Sequence, residues 1–284
     1  MNGPISELVR IRCILCNSNS DKAVASHNGY RVARCDDCGF IFVNPRPTEE
    51  SLAHIYSDPE QNPFASEAYE PLEYELPVLT KIMTEVSKYV PGGKLFEVGC
   101  GRGDLMSVAQ TFGFSVEGCD IFGDAKPDLK DATFHEGPLR TAGLPANCYD
   151  LVVIRNTLEH LFDPKSELEE IRRIVKPEGY VYLKVPNVLF ERGLLCWLVS
   201  GQVQEYDAPY HLNHFSARTL KTLLKRINFE FVDWYIEQPT LRPGLKSNLL
   251  RQAGYQVTKI IRLLAGKRFF PKVVLSAIVQ KTGD

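Results

Sequence analysis

Four of the eight cysteines stand in two Cys-x-x-Cys pairs near the start of the sequence. The pairs are Cys13 with Cys16 and Cys35 with Cys38, and eighteen residues lie between them. Each pair directs two thiolates to one point, so two pairs complete the tetrahedral four-sulfur shell of a zinc ribbon. A redox site needs only one such pair, beside a βαβ pattern that has not yet begun here. The spacing therefore predicts a closed, structural zinc site.

A glycine-rich turn, "EVGCGRGD", ends the first strand-like run of the central region. Gly99, Gly101 and Gly103 permit a tight turn and close approach of a ligand to the backbone amides of the next helix. This spacing differs from the Gly-x-Gly-x-x-Gly of dinucleotide binders. Glu97 precedes the turn, and Asp120 ends the next run, where a carboxylate can accept both hydroxyls of a ribose. Together these residues predict a cofactor site.

The tract "YHLNHFS" contains two histidines, His211 and His214, among mainly apolar residues. They can be two metal ligands, a general base with a neighbour, or packed residues. Ser216 can cap the helix-like segment "ARTLKTLLKRI", which places both histidines on a loop before a helix. Metal binding needs further ligands, and Glu205 and Asp207 are the only acidic candidates nearby in sequence. We therefore expect no metal at these histidines.

Strand-like apolar runs alternate with amphipathic segments from Pro91 onward. The runs are, in chain order, "KLFEVG", "SVEGCD", "ATFHEG", "YDLVVIRN" and "YVYLKVP". This alternation predicts an α/β fold, in which helices cover both faces of a largely parallel sheet. Ligands of such sheets bind outside the carboxyl ends of the strands, where the glycine-rich turn lies.

The sequence divides into three predicted parts. Residues 1–45 form a zinc-ribbon module, 46–90 a helical connector, and 91–284 the main α/β domain. Two stretches interrupt the alternating pattern, at 187–214 and 240–270. The first follows the fifth strand at the carboxyl edge of the sheet, so we predict that it forms a lid over a substrate.

Composition limits the classes of function. The chain has 284 residues, of which 44% are hydrophobic and 24% charged, and a net charge of −2, which gives no strong overall field for nucleic acid. From Phe215 onward thirteen Lys and Arg accompany four Asp and Glu, which indicates an anionic partner for one face.

The first residues lack a signal-peptide core, and the most apolar window, "VLFERGLLCWLVSG", is too short to span a bilayer. We expect a cytoplasmic protein.

The segment "KSNLLRQAGYQVTKIIRLLAGKR" predicts an amphipathic helix. Its apolar residues share one stripe, and Arg251, Lys259 and Arg262 lie on the opposite face. Two interpretations stay open. The helix covers the sheet or a second copy of the chain, or residues 246–268 offer a basic surface to a substrate phosphate or an anionic membrane. The oligomeric state also stays open.

The motifs resemble those of the class I S-adenosylmethionine-dependent methyltransferases. "FEVGCGRGD" resembles their first motif, "GCDIF" the acidic second, "YDLVVIRNTLEHLFDP" the fourth, and "IVKPEGYVYLKVPN" the segment through the fifth strand. The resemblance implies a seven-stranded Rossmann-like sheet and S-adenosylmethionine as the cofactor. The residues that it places around the cofactor are Glu97, Gly99, Cys100, Gly101, Gly103, Asp120, Ile121, Phe122, Asn156, Thr157 and His160.

The zinc-ribbon front end together with "YHLNHFS" is similar to that of sugar and natural-product methyltransferases. The resemblance implies that His211 is the base that takes the acceptor's proton, and that Tyr210 stands where those enzymes carry an acidic partner. We interpret His214 as a packing or capping residue beside this pair. The implied acceptor is a small hydroxylated molecule, a nucleotide- or lipid-linked sugar or a related natural-product or polysaccharide precursor.

Two other functions fit parts of the sequence. Some ribosomal RNA methyltransferases carry a zinc ribbon, but they call for a basic module, whereas Met1–Asp58 is close to balanced in charge. A non-catalytic zinc-ribbon interaction protein is the second alternative. The complete glycine-rich turn and Asp120 argue against it.

Overall fold

The computed structural model describes residues 7–57, 72–121, 129–188, 206–241, 245–265 and 274–283. Phe122 and Glu205 lie outside these residues, as do positions 189–205 of the predicted lid. The described chain builds one large sheet with helices against it, and a smaller sheet that carries the four cysteines of the two pairs.

The large sheet has seven strands in the order β12-β13-β10-β9-β6-β7-β8. Neighbouring strands from β8 to β10 pair in parallel, and β13 runs antiparallel between β10 and β12. The strands are β6 (Gly93–Val98), β7 (Phe114–Asp120), β8 (Thr133–Glu136), β9 (Tyr149–Arg155), β10 (Val175–Pro186), β12 (Phe229–Tyr235) and β13 (Val274–Lys281). This arrangement confirms the predicted Rossmann-like sheet.

The central strands β6, β9 and β10 are buried on both faces because helices cover each side. The helices are α1 (Glu49–Ser57), α2 (Leu72–Val86), α3 (Asp104–Thr111), α4 (Pro164–Ile174), α5 (Ala217–Arg226) and α6 (Leu245–Ala265). Asp163 caps α4, and Ser216 caps α5 through a reciprocal capping box with Thr219. The predicted cap at Ser216 is therefore present.

The small sheet has four strands in the order β11-β4-β3-β2. Its strands are β2 (Asp21–His27), β3 (Tyr30–Cys35), β4 (Ile41–Val43) and β11 (Asn213–His214), and a separate pair joins β1 (Leu8–Val9) to β5 (Arg46–Pro47). Asn28 and Gly29 connect β2 and β3 with φ of 48° and 81°, the left-handed conformation of tight hairpin turns. Strand β11 comes from the tract "YHLNHFS", so the small sheet combines residues far apart in sequence.

Helix α6 exposes part of its predicted apolar stripe. Leu249, Val257 and Ile260 are more than half exposed, and Leu263 beside them is 83% exposed. These four side chains therefore do not pack on the sheet, whereas Tyr255 on the same helix packs against the main core. Within the described residues, no helix combines the length and apolar character needed to cross a membrane.

Candidate functional site

The cysteine pairs form two matching turns whose sulfurs converge. The amide of Asn17 donates to the carbonyl of Cys13 at 2.7 Å, and the amide of Gly39 donates to the carbonyl of Cys35 at 3.0 Å. Asn17 and Gly39 both adopt positive φ, of 64° and 77°. Each turn thus points its two thiols to the same side.

The distances between the four sulfurs fit a tetrahedral ion. Sγ of Cys13 lies 3.5 Å from Sγ of Cys38, and Sγ of Cys16 lies 3.4 Å from Sγ of Cys35. All four sulfurs lie within 4.8 Å of one another, and none is in a disulfide. A zinc ion with four thiolates at its usual bond length holds neighbouring sulfurs about 3.8 Å apart. The cluster therefore has the size and ligand set of a structural zinc site.

A cleft of about 530 Å³ opens at the carboxyl ends of the parallel strands. Its volume is that of a small-molecule site. Its wall comes from the turns that follow β6, β7, β8 and β9, from the end of β10, and from α1 and α2. This is the edge of the sheet at which the sequence predicted a ligand.

The glycine-rich turn adopts a backbone that other residues resist. Gly99, Gly101 and Gly103 have φ of 72°, 49° and 77°. A Cβ on Gly99 would lie 2.2 Å from Oγ1 of Thr157, so the turn and the segment after β9 approach too closely for any side chain. Gly103 precedes α3, and Asp104 and Leu105 of the first turn of this helix line the cleft.

Two buried carboxylates flank the turn. Oδ2 of Asp120 accepts a hydrogen bond from the amide of Gly101 at 2.8 Å, which orients the carboxylate at the end of β7. Glu97 is 4% exposed, and its Oε2 has no hydrogen-bond partner among the described residues. Burial raises the pKa of Glu97 to about 8, although Arg155 opposes this. A buried acceptor of this kind fits a ligand with a positively charged donor, such as an amino-acid ammonium group.

The floor of the cleft carries paired charges. Nζ of Lys184 lies 2.8 Å from Oε2 of Glu237, which also accepts hydrogen bonds from Tyr182 and Ser276 on its other oxygen. Burial raises the pKa of Glu237, but Lys184 and Arg155 outweigh it and lower the pKa to about 2. These charges therefore hold the ends of β9 and β10 in place.

One side of the cleft contains two histidines that are far apart in sequence. The rings of His160 and His211 lie edge to face with centroids 4.7 Å apart, and both line the cleft. Nδ1 of His160 lies 3.0 Å from the carbonyl of Tyr210. Burial lowers the pKa of His160 to about 3 and that of His211 to about 4, so both rings are neutral at pH 7. Glu159, also on the cleft wall, is 2% exposed.

The small sheet holds the segment that carries His211. Asn213 and His214 pair antiparallel with β4, and the carbonyl of Leu212 accepts from the amide of Val43 at 2.9 Å. On the other side, the carbonyl of Glu159 accepts from the amides of Leu212 and Asn213 at 2.9 and 3.0 Å. The tract "YHLNHFS" is thus fixed between the cysteine-bearing sheet and the turn after β9.

The buried side chain of Arg46 connects the cysteine-bearing sheet with the turn after β9 and with the segment that carries His211. The side chain is fully buried and donates to the carbonyls of Val43 at 3.2 Å, Phe162 at 2.9 Å and Leu212 at 3.4 Å. Burial lowers its pKa to about 9. A guanidinium suits this position because its five donors form a fixed fork.

Most of the predicted site residues line the cleft. They are Glu97, Gly99, Cys100, Gly101, Asp120, Ile121, Asn156, Thr157, His160 and His211. Gly103, Tyr210 and His214 lie beside the cleft but are not part of its wall, and His214 packs against Tyr206.

Sequence reasoning missed several lining residues. Tyr56 and Glu75 come from the predicted connector, and Arg155 and Lys184 from the ends of strands. Glu159 stood next to His160 in the motif "LEHL", and that adjacency was the only sign of it in the sequence.

Comparison with known proteins gives a family and a fold. Residues 73–233 match the methyltransferase domain family. The ubiquinone biosynthesis O-methyltransferase of Leptothrix cholodnii is 31% identical over 150 residues, which cover 48% of this chain and 60% of the relative. That of Bordetella avium is 29% identical over 149 residues, covering 48% and 58%. The chain therefore spans about 60% of the length of these curated relatives.

A solved structure shares the fold over nearly all of the chain. It is the 1,6-didemethyltoxoflavin-N1-methyltransferase of Burkholderia thailandensis, with bound 1,6-didemethyltoxoflavin and S-adenosylhomocysteine. It covers 93% of this chain and 100% of its own, with a TM-score of 0.57 and 13% identity. With the family match over more than half of the sequence, these findings show that the chain belongs to the methyltransferase domain family and has the class I, S-adenosylmethionine-dependent fold.

Proposed function

We propose that the protein transfers the methyl group of S-adenosylmethionine to a hydroxyl of a small acceptor. One observation carries this proposal. A single cleft brings together the glycine-rich turn, the carboxylates of Glu97 and Asp120, and the neutral pair His160 and His211. When bound, S-adenosylmethionine supplies an electrophilic methyl group. The remaining work of binding, orientation and proton handling falls to the residues of the chain.

The cofactor end of the cleft supplies matched donors and acceptors. Glu97 accepts from the ammonium of the amino-acid end, and Asp120 accepts from the ribose hydroxyls. Ile121 is 51% exposed and offers an apolar surface to the adenine ring. Asn156 and Thr157 border the amino-acid end from the turn after β9. The roles of Asp120, Ile121, Asn156 and Thr157 follow the family resemblance, whereas that of Glu97 rests on its buried Oε2, which has no hydrogen-bond partner among the described residues.

The acceptor end has its proton acceptor in place. His211 is neutral, and a neutral imidazole can accept the proton of the acceptor hydroxyl. His211 would hold that proton while the bound cofactor supplied its methyl group to the acceptor oxygen. Holding the oxygen and the methyl carbon roughly 3–3.5 Å apart supplies much of the rate.

The acceptor that we propose is a hydroxylated small molecule, in its narrower form a nucleotide- or lipid-linked sugar or a related precursor. The names of the curated relatives support oxygen as the methylated atom, since they are O-methyltransferases. The similarity of the front end and of "YHLNHFS" to sugar methyltransferases supports the sugar. The positively charged carboxyl-terminal part supports an anionic carrier.

We further propose that the four cysteines bind one structural zinc ion and that residues 1–45 form a zinc-ribbon module. Four thiolates leave no position for substrate. The role of the ribbon is then positional, because β4 pairs directly with the segment that carries His211. Residues 46–90 and 91–284 complete the proposed division.

Calorimetry with S-adenosylhomocysteine tests the cofactor site, and release of that product with a panel of hydroxylated acceptors tests transfer. We expect His211→Ala to abolish turnover and to leave the affinity for S-adenosylhomocysteine unchanged. His54→Ala, an exposed histidine on α1, is the matched control with normal turnover. No binding at millimolar concentration would overturn the proposal. Salt-sensitive RNA binding without small-molecule turnover would favour the RNA methyltransferase alternative.

A further inference from the structure

We propose that Glu159, His160 and His211 bind a divalent transition-metal ion in the acceptor half of the cleft, separate from the cysteine site. This inference rests on the proposed function and specifies how the acceptor hydroxyl is activated. The ligand atoms of the three residues lie within 4.8 Å of one another. All three residues line the cleft, so the ion would contact a bound acceptor.

The hydrogen bond of His160 fixes which nitrogen can ligate. Its Nδ1 lies 3.0 Å from the carbonyl of Tyr210, and a carbonyl only accepts, so Nδ1 carries the proton. Nε2 is then the acceptor nitrogen, directed away from that carbonyl. Ligating histidines commonly have this arrangement, with one nitrogen on the metal and the other donating to a carbonyl.

Two hydrogen-bond acceptor atoms face each other in the cluster. Nε2 of His160 lies 3.9 Å from Oε1 of Glu159, which is buried with the rest of that side chain. A neutral imidazole nitrogen and a carboxylate oxygen repel each other unless a cation lies between them. A divalent ion between the two atoms resolves this repulsion.

The ring of His211 completes the set and links it to solvent. Its ring packs on His160, and its Nε2 lies 3.8 Å from Oδ2 of Asp207, a side chain that is 52% exposed. Asp207 stands where an outer partner orients a ligating histidine. It also shows that this end of the cleft reaches water.

Two imidazoles and one carboxylate select the kind of ion. This ligand set suits Mn²⁺, Fe²⁺, Co²⁺ or Zn²⁺ and leaves coordination positions for substrate oxygen, unlike the four thiolates of the cysteine cluster. A hydroxyl bound to such an ion loses its proton more easily, and that proton leaves to water. The acceptor oxygen then forms the C–O bond while the S–C bond breaks. In this arrangement His211 ligates the ion instead of taking the proton itself.

The test uses Mn²⁺ as the probe on full-length protein that retains zinc at its cysteines. Mn²⁺ prefers nitrogen and oxygen ligands to thiolates, so electron paramagnetic resonance reports the histidine cluster alone. We expect one bound Mn²⁺ per chain, and at least a tenfold weaker affinity in Glu159→Gln, His160→Ala and His211→Ala. His54→Ala is the control and keeps wild-type affinity. An unchanged thermal midpoint and zinc content establish that each variant is folded.

The outcomes separate this proposal from the function on which it rests. No Mn²⁺ binding at about 1 mM, or binding that all three substitutions leave intact, overturns the metal site. Undiminished turnover after a chelator has removed every ion except the cysteine-bound zinc also overturns it, while methyl transfer stands. Specific Mn²⁺ binding without transfer to any acceptor supports the metal site and contradicts the proposed activity.

Discussion

The two side-chain clusters suited to metal binding differ in how the chain assembles them. The cysteine cluster comes from two short turns, each of which has its own hydrogen bond and its own residue of positive φ. The histidine cluster comes from two segments fifty-one positions apart and exists only because the surrounding sheets bring them together. A site built from local turns can be predicted from the sequence, whereas a site built from tertiary contacts cannot.

The two clusters are nevertheless connected. Strand β3 ends at Cys35, β4 follows the second cysteine turn, and β4 pairs with the strand that contains His214. The rings of Phe40 and Phe215 pack with centroids 5.4 Å apart across the same junction. A disturbance at the cysteines therefore has a short route to His211.

Loss of one cysteine is the change with the largest expected effect. Cys35→Ser removes a thiolate from the proposed zinc site, and in small zinc modules such an ion contributes on the order of 10 kcal/mol. We expect zinc content to fall and the amides of β3, β4 and β11 to exchange faster with solvent. Zinc analysis and hydrogen exchange measure both results. Cys148→Ser, outside the cluster, is the control. Full zinc content with unchanged exchange in β11 would break the connection between the clusters.

Replacement of Arg46 tests the connection between the two clusters while leaving the cysteine site intact. Arg46→Met removes donors to three backbone carbonyls in a buried position, and we expect a loss of about 3 kcal/mol in the free energy of unfolding. Zinc content stays at the wild-type level, whereas turnover falls because the segment of His211 is less well held. Urea unfolding and zinc analysis measure these results.

Arg10→Met is the matched control for Arg46→Met. Its side chain is 63% exposed, and its 3.4 Å contact with the buried carboxylate of Asp21 is open to solvent on the arginine side, so we expect it to contribute no more than about 1 kcal/mol. Equal destabilisation by the two substitutions would contradict the role that we assign to Arg46.

The parts that the sequence predicted correctly are those with a short-range pattern. The turn after β6, the end of β7 at Asp120 and the cap at Ser216 lie where the sequence placed them, and the alternation of strands and helices predicted the sheet. The expectation of no metal at the histidines considered only Glu205 and Asp207, because those acids are near in sequence. The structure instead places Glu159 and His160 beside His211. The pairing of β4 with β11 could not be predicted from the sequence, because β11 has only two residues and so shows no alternation of apolar and polar side chains.

The cofactor end should respond independently of both clusters. Asp120→Ala removes a charged acceptor, and we expect S-adenosylhomocysteine affinity to fall about 10- to 150-fold, the equivalent of about 1.5–3 kcal/mol. Zinc content and Mn²⁺ affinity stay unchanged. Calorimetry measures the S-adenosylhomocysteine affinity, and metal analysis measures the zinc content and the Mn²⁺ affinity. Glu136→Ala, an exposed acid at the end of β8, is the control. A simultaneous loss of Mn²⁺ affinity would show that the two halves of the cleft are coupled.

The smallest expected effect is the change of stability with pH. One titrating group changes the free energy of unfolding by at most about 1.4 kcal/mol for each pH unit. Burial raises the pKa of Glu97 from 4.5 to about 8, so between these values the folded protein binds a proton that the unfolded chain does not. The contribution of Glu97 to the free energy of unfolding therefore falls as pH rises from 5 to 8, whereas the lowered pKa values of His160 and His211 give a contribution that rises up to about pH 6.5. We expect a shallower decline in Glu97→Gln, measured by urea unfolding without cofactor.

Asp21, in the cysteine-bearing sheet, should behave in the opposite way. Burial raises its pKa, but hydrogen bonds from Arg31 and Asn44 outweigh burial and lower it below the usual 3.8. Its contribution is present above that value and is lost as pH falls through the lowered pKa. Asp21→Asn should thus leave the slope between pH 5 and 8 unchanged. An equal change of slope in both variants would contradict the assignment to Glu97, because Asp21 is ionised in the folded and the unfolded chain throughout that range.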